Sequence, residues 1–459
     1  MHPSLESGSY SALKDVTLNT ANKPSFELPS ESNLGEAMPV TPEDTTILMP
    51  GEAPKKARRT VFARARLVVG AVVITLGLVL TGFAVASAGS SSMSAMPGMT
   101  DPNYWNNVGG APFANTGVTR PYFIAADPVA WDYAPQHMNV ITGQPFDDVA
   151  KTYVQSGPGR VGSKYDKCLY RAYSDASFKH LVQRPATEDY LGLLGPVIRA
   201  EVGDTIRVSF RNNCSFPASM HPHGVFYTKS SEGAPYNDGT SGGDKADDAV
   251  PPNGGNHTYI WQVPERAGPG PSDGSSVMWM YHSHTDEVGD TYAGLMGPMV
   301  VTKRGMARPD GSPKDVDREL FEMYSVMNEN KDPLLEQSEH DFETPYQAPD
   351  PTDEGFEESN LMHSINGYVF GNQPLVNIKR GQHVRWYVMS MGTEVDLHTP
   401  HWHGNDVTVG GMRMDVVDLL PASMIVADMV PDNPGTYLFH CHVNDHIAAG
   451  MLTRYNVTK

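Results

Sequence analysis

At 459 residues the chain has room for two or three domains, and its 53 acidic against 34 basic side chains give a formal charge of −19. That balance, with few basic clusters after residue 66, argues against a nucleic-acid partner and favours a cationic substrate. Residues 1–54 are rich in Ser, Thr, Pro, Glu and Asn and poor in aromatics, so they cannot bury enough apolar surface to fold and are expected to be disordered. A basic run from Lys55 to Arg66 completes a tail of residues 1–66. It precedes Leu67 to Ala88, about 22 residues without a charge, long enough to cross a bilayer as one helix. The positive-inside rule then keeps the N-terminus cytoplasmic and places the rest of the chain outside the cell or in a lumen. The alternative is a cleaved leader and a secreted product, because Ala86-Ser-Ala88 has the small residues of a cleavage site. Residues 89–118, rich in Gly, Ser, Met and Pro, read as a flexible stalk. Met93, Met96 and Met99 in it are also soft enough donors to recruit Cu(I).

Beyond the stalk, short alternating segments are punctuated by Gly, Pro and Asp. Tyr122 to Asp127, Lys167 to Tyr173, Thr205 to Phe210 and Tyr259 to Val263 are predicted strands, and a second set runs over Leu320 to Val326, Val384 to Met389, Ser423 to Asp428 and Thr436 to Phe439. The segment Ile198 to Val208 is echoed by Ile378 to Trp386, each followed by a His-X-His-Gly turn. Two β-sandwich domains are therefore expected, at 119–305 and 318–459, joined near Gly305 to Asp317. The expected class is all-β. Sequons at Asn213, Asn256 and Asn456 agree with passage through a glycosylating compartment.

Ten of the 17 histidines fall in four short segments: His221-Pro-His223, His282-Ser-His284, His398-Thr-Pro-His401-Trp-His403 and His440-Cys441-His442-Val-Asn-Asp-His446, the last ending at Met451. An isolated His-X-His pair reads best as two solvated rings on an exposed strand. Four such pairs beside a Cys do not. Two imidazoles, a thiolate and a thioether suit a blue-copper centre, and His398, Cys441, His446 and Met451 supply that set. On an extended strand each remaining His-X-His pair sends both rings to one face, and eight imidazoles so placed fit a three-copper cluster. With Cys441 taken by copper, Cys168 and Cys214 are left either as a disulfide in an oxidising compartment or as two buried thiols.

These motifs, with Tyr281-His-Ser-His-Thr-Asp and Gly294-Leu-Met-Gly-Pro-Met, resemble the multicopper oxidases, and within them the ceruloplasmin and hephaestin branch, over roughly Pro121 to Lys459. The resemblance implies Greek-key cupredoxin sandwiches and four coppers per chain: one type 1, one type 2 and two type 3. By position it implies type 2 ligation by His221 and His401, and type 3 ligation by His223, His282, His284, His403, His440 and His442. Ser283 stands where the second domain has Cys441, so the first domain keeps no blue site. Asp286, two residues after His284, is the candidate proton donor to the cluster and reads equally as a structural cap. Ceruloplasmin closes a ring of six such domains, whereas this chain has two. The resemblance therefore points to a homotrimer with head-to-tail interfaces and clusters shared between chains. The weaker alternative is an intrachain cluster.

The family shares reduction of O2 to water and differs in the reductant. Glu358 and His363 match the iron-site residues of the ceruloplasmin branch, Glu394 matches a further carboxylate, and Asp445 precedes the blue-copper ligand His446. Carboxylates with one imidazole suit Fe(II) and bind Fe(III) more tightly still, which favours oxidation. Asp445 alone reads equally as a carboxylate orienting His446. The resemblance thus implies a ferroxidase serving iron uptake or homeostasis, held at the membrane by residues 67–88, with an iron permease as a candidate partner. The alternatives are a phenol, Cu(I) or Mn(II) oxidase, or a non-catalytic copper-binding scaffold.

Overall fold

The computed structural model describes residues 115–348, 350 and 352–459. In its first half lie β1 (Thr119–Asp132), β2 (Lys164–Ala172), β3 (Ile198–Glu201), β4 (Thr205–Asn212), β5 (His221–Pro222), β6 (Phe226–Tyr227), β7 (Gly255–Gln262), β8 (Ser276–His282) and β9 (Met296–Thr302). The second half holds β10 (Arg318–Asn328), β11 (Leu361–Ile365), β12 (Val376–Lys379), β13 (Val384–Ser390), β14 (Pro400–Trp402), β15 (Val407–Val409), β16 (Met412–Met414), β17 (Met424–Met429), β18 (Gly435–Cys441) and β19 (Leu452–Thr458). Alternation drives these assignments: in β4, Ile206, Val208 and Phe210 are buried while Arg207 is exposed.

Each half is a pair of sheets, ordered β2-β1-β4-β7-β6 with β3-β9-β8-β5 in the first and β11-β10-β13-β17-β15-β16 with β12-β19-β18-β14 in the second. The pairings repeat. β1 runs parallel to β4 and antiparallel to β2, as β10 does to β13 and β11. β9 runs parallel to β3 and antiparallel to β8, as β19 does to β12 and β18. The echoed segments fall on β3 with β4 and on β12 with β13, so the sequence repeat is a repeat of cupredoxin-like sheets.

The chain is mostly rather than wholly β. Short helices occupy the loops: α1 (Asp148–Val154), α2 (Glu287–Tyr292), α3 (Leu335–Phe342), α4 (Glu354–Ser359) and α5 (Asn444–Ala448). Their signals are confined to single turns, such as the Asp147 cap on Ala150 N–H and the Asp353 cap on Gly355 N–H. Among the described residues no helix is long and apolar enough to cross a membrane. The expected tail at 1–66, span at 67–88 and most of the stalk at 89–118 lie outside the described residues. Cys168 and Cys214 form a disulfide.

Polar contacts join the halves. Lys167 of β2 is fully buried, and its Nζ donates to Glu329 at 2.7 Å, to Asp332 at 2.9 Å and to the Tyr292 carbonyl. Tyr133 donates to the same Glu329. Burial alone would lower the Lys167 ammonium, but Asp332 and Glu329 hold it above its ordinary value. Tyr165 bonds Asn360 at 2.7 Å, and Arg199 pairs with Glu319 at 2.6 Å. Removing one partner of a buried ion cluster strands the other charge. Lys167→Met is therefore expected to destabilise the fold by about 3–5 kcal/mol, read from urea denaturation, and Glu329→Gln on that background should recover part of the loss.

Candidate metal centres

Strand alternation at the end of β18 sends Cys441 to one side and His440 with His442 to the other. The Cys441 Sγ lies 3.9 Å from His398 Nδ1 and 3.6 Å from His446 Nδ1, and those nitrogens are 3.1 Å apart. All three residues are buried. Edges of this length are what three donors at about 2.0–2.3 Å from one ion make. Met451 is buried beside them, its carbonyl accepting from Cys441 N–H at 3.1 Å and its N–H donating to the His446 carbonyl at 2.9 Å. Burial would raise the Cys441 thiol, but hydrogen bonds from His398, His446 and the Thr399 and Val443 N–H groups bring it down to about 6. His398 is held from behind, with its Nε2 3.2 Å from Asp396 Oδ1. That contact leaves Nδ1 as the nitrogen facing the thiolate.

The other eight histidines form two quartets. β5 pairs with β8 so that His221 faces His282, and β14 pairs with β18 so that His401 faces His440. In the first quartet the His221 ring lies 5.7, 5.6 and 5.2 Å from those of His223, His282 and His284. In the second, the His401 ring lies 4.5, 5.2 and 5.4 Å from those of His403, His440 and His442. Here the opposite nitrogen is presented. His282 and His440 give Nδ1–H to the carbonyls of Ser283 and Cys441, at 2.9 and 2.6 Å, which turns each Nε2 toward that of its partner, His223 at 3.2 Å and His403 at 3.0 Å. Burial, then neighbouring imidazoles, holds His223 down to about 4, and burial likewise brings His282 to about 3 and His440 to about 4. These rings are neutral, the form that ligates metal.

Glycine follows the first His-X-His pair of each quartet for a reason. Gly224 and Gly404 adopt φ of +76° and +75°, and a Cβ there would strike the rings of Trp279 and Tyr437. No histidine of one quartet contacts a histidine of the other among the described residues. The first borders a cavity of about 490 Å³ with Tyr227 and Arg266. The second borders one of about 790 Å³ with Asp406, Asp415 and Asp432.

The first half has the frame of the thiolate site without its donors. Ser283 N–H bonds the Leu295 carbonyl as Cys441 N–H bonds that of Met451. Its hydroxyl donates to buried Asp290 at 2.5 Å, which also accepts from Asp286 N–H at 3.0 Å. Burial pushes Asp290 up to about 6. Asp286 itself is exposed at the head of α2.

A further group of polar side chains adjoins His446. The His363 ring lies 5.3 Å from the His446 ring, and its Nδ1 bonds the Leu361 carbonyl at 2.9 Å, freeing Nε2. Burial, then His446, holds His363 down to about 4. Glu358 accepts at Oε1 from the Tyr153 hydroxyl at 2.7 Å. Burial, then the hydrogen bond to Glu358 and the charges of Glu358 and Asp445, holds that phenol above its ordinary value. Glu394 is exposed on the loop before β14, and no hydrogen bond or ion pair joins it to Glu358 or His363 among the described residues. Sequence reasoning missed Tyr153, Asp396 and Asp290. Asp396 stands two residues before His398, a spacing that could have marked it as an anchor, whereas Tyr153 is 205 residues from Glu358.

Two family models described as multicopper oxidase match residues 191–305 and 343–459. Over 343 residues the chain is 44% identical to human ferroxidase HEPHL1, covering 74% of this chain and 29% of that protein. It is 43% identical to human hephaestin over 350 residues, 75% of this chain and 30% of the relative. With rat ceruloplasmin the identity is 38% over 343 residues, 74% of this chain and 32% of the relative. The chain thus spans about a third or less of the length of these relatives. A thiolate, neutral imidazoles and paired β-sandwiches define a copper protein of the cupredoxin kind. The chain belongs to the multicopper oxidases, a membership that implies copper, and the donor sets above fit that metal in softness and spacing.

Removing the carboxylate behind a ligating imidazole typically costs 10- to 100-fold in metal affinity. Asp396→Ala also orphans the N–H groups of Val326 and Thr393, which it accepts at 2.7 and 2.8 Å. Copper at Cys441 is expected to be lost to a chelator at roughly 10- to 100-fold lower concentration than in the parent protein, followed by visible absorbance.

Proposed function

We propose that the protein is a ferroxidase, coupling oxidation of four Fe(II) to reduction of one O2 with four protons to two waters. The observation that carries this reading is His363 beside His446, with Glu358 linked to it through Tyr153 and Asp445 assigned to the same pocket. Two hard carboxylates and a neutral imidazole suit Fe(II) and favour Fe(III) more strongly, which lowers the potential of the iron couple. His363 would hold the substrate ion next to the blue-site ligand. Glu394 is assigned to the same pocket from a neighbouring chain. A laccase-like function would instead call for an apolar cleft at this position.

His398, Cys441, His446 and Met451 are assigned to type 1 copper, His221 and His401 to type 2, and His223, His282, His284, His403, His440 and His442 to the type 3 pair. Bound copper supplies the one-electron couple and, at the three-metal cluster, the site of O2 reduction. The residues do the rest. Cys441 lies in sequence between His440 and His442, so one stretch of backbone links the thiolate to the cluster ligands. Asp286 is assigned to proton delivery. Because the two quartets stand apart within the chain, each cluster is assigned to His221, His223, His282 and His284 of one copy and His401, His403, His440 and His442 of the next, in a homotrimer. Residues 67–88 would anchor the copper domains outside the cell or in a lumen.

Copper-loaded protein is expected to be blue, and Cys441→Ser should abolish both the colour and the oxidase activity. His284→Ala should leave the blue band and stop oxygen uptake; a Cys441→Ser protein that kept its colour would overturn the ligand assignment.

Shared clusters predict complementation. A His221→Ala, His223→Ala protein and a His401→Ala, His403→Ala protein should each be inactive, and co-assembled oligomers should regain part of the activity. Mixed oligomers without rescue would favour an intrachain cluster.

Substrate is tested by Glu358→Ala with Asp445→Ala, expected to raise the Fe(II) KM or lower its turnover strongly while oxidation of a bulky aromatic amine survives. Proportional loss of both activities would mean that the carboxylates support the copper site. Loss of neither would move a phenol or other metal reductant ahead.

A further inference from the structure

The iron pocket is not built by the second half alone. Glu358 stands exposed on the last turn of α4, a six-residue helix, and a free glutamate there samples many rotamers that binding must freeze. One side chain already holds it. The Tyr153 hydroxyl donates to Oε1 at 2.7 Å and leaves Oε2 free, while the Tyr153 ring stands edge-on to His363, centroids 5.7 Å apart at 71°.

Tyr153 is itself fixed. It is 7% exposed and sits on α1, whose first turn is capped by Asp147. The segment after α1 is strapped to the loop that leads into α4. Ser156 Oγ donates to the Phe342 carbonyl at 2.8 Å, Gly159 N–H to Glu343 at 2.6 Å, and Arg160 pairs with Asp353, the α4 cap, at 2.9 Å. These bonds run from the first half of the chain to the second. They hold donor and carboxylate in register although 205 residues separate them.

We propose that Tyr153 is a positioning residue for the iron pocket, fixing the Glu358 carboxylate within reach of His363 so that a divalent metal ion meets a preorganised ligand set. The proposal rests on the ferroxidase reading. Tyr153 touches neither the ion nor the copper ligands, and acts through Glu358. Its loss therefore weakens ferrous capture, a KM effect, rather than electron transfer or O2 reduction.

The test uses copper-loaded, full-length protein, with the blue band and thermal midpoint recorded for every variant. Steady-state kinetics are measured with Fe(II) and with a bulky aromatic amine. Tyr153→Phe keeps the ring and removes the donor, and is expected to raise the Fe(II) KM about tenfold with kcat kept, so that preference for Fe(II) over the amine falls by the same factor. On a Glu358→Ala background Tyr153→Phe should add nothing, because the two act as one unit. Glu358→Asp, at an exposed position where folding is not at stake, keeps the charge but draws it away from the phenol; it should behave like Tyr153→Phe. Parent-like Fe(II) kinetics in Tyr153→Phe or Glu358→Asp, with a raised KM in Glu358→Ala, would overturn the positioning role and leave the iron reading standing. Equal loss on both substrates in Tyr153→Phe would make Tyr153 a packing residue and overturn the role as well. No effect of Glu358→Ala on Fe(II) would overturn the iron reading and this proposal with it.

Discussion

The period-two alternation of β18 is the constraint on which the rest of the site depends. A strand can send Cys441 into a buried pocket with His398 and His446 only by sending His440 and His442 the other way. The pairing of β14 with β18 then brings His401 opposite His440, and the two-residue spacing puts the His403 ring beside that of His401. A one-residue slip would put the thiolate among the cluster rings and the imidazoles in the core. Register is therefore part of the chemistry, and the burial of Phe439 and Cys441 on one side of the strand is what specifies it.

The two kinds of site also present different nitrogens, and each choice is made by a partner outside the ligand set. At the thiolate site a carboxylate, Asp396, takes Nε2 of His398 and leaves Nδ1. In the quartets backbone carbonyls take Nδ1 of His282 and His440 and leave Nε2. The same ring is thus set to one of two reaches by whatever stands behind it, and in the quartets burial keeps the rings of His282 and His440 neutral and able to offer a lone pair.

Much of this was legible in the sequence, for physical reasons that also mark its limit. Strand alternation and His-X-His spacing are local, so β4, β10, β13 and β18, together with the grouping of His221, His223, His282 and His284, could be read from neighbours in the chain. The motif around Glu358 and His363 was legible through family likeness. Lys167, Glu329 and Tyr133 carried no local signal, since a buried ion cluster is defined by its partners. Tyr153 was invisible for the same reason. The helices escaped because a five- to eight-residue helix in a loop rests on one cap and little periodicity.

The buried Lys167 network bears on more than stability. An assembly in which one face of a subunit meets a different face of the next closes into a ring only when the turn per subunit divides a full circle; otherwise it runs on as a filament. In the homotrimer proposed above, with Lys167 of the first half bound to Glu329 and Asp332 of the second, the tilt between the two faces would be set inside the subunit. Curvature would then be a property of the bonds between the halves, the Lys167 network with the Arg199–Glu319 pair among them, and loosening them would alter how many copies meet before the chain of contacts bites its own tail.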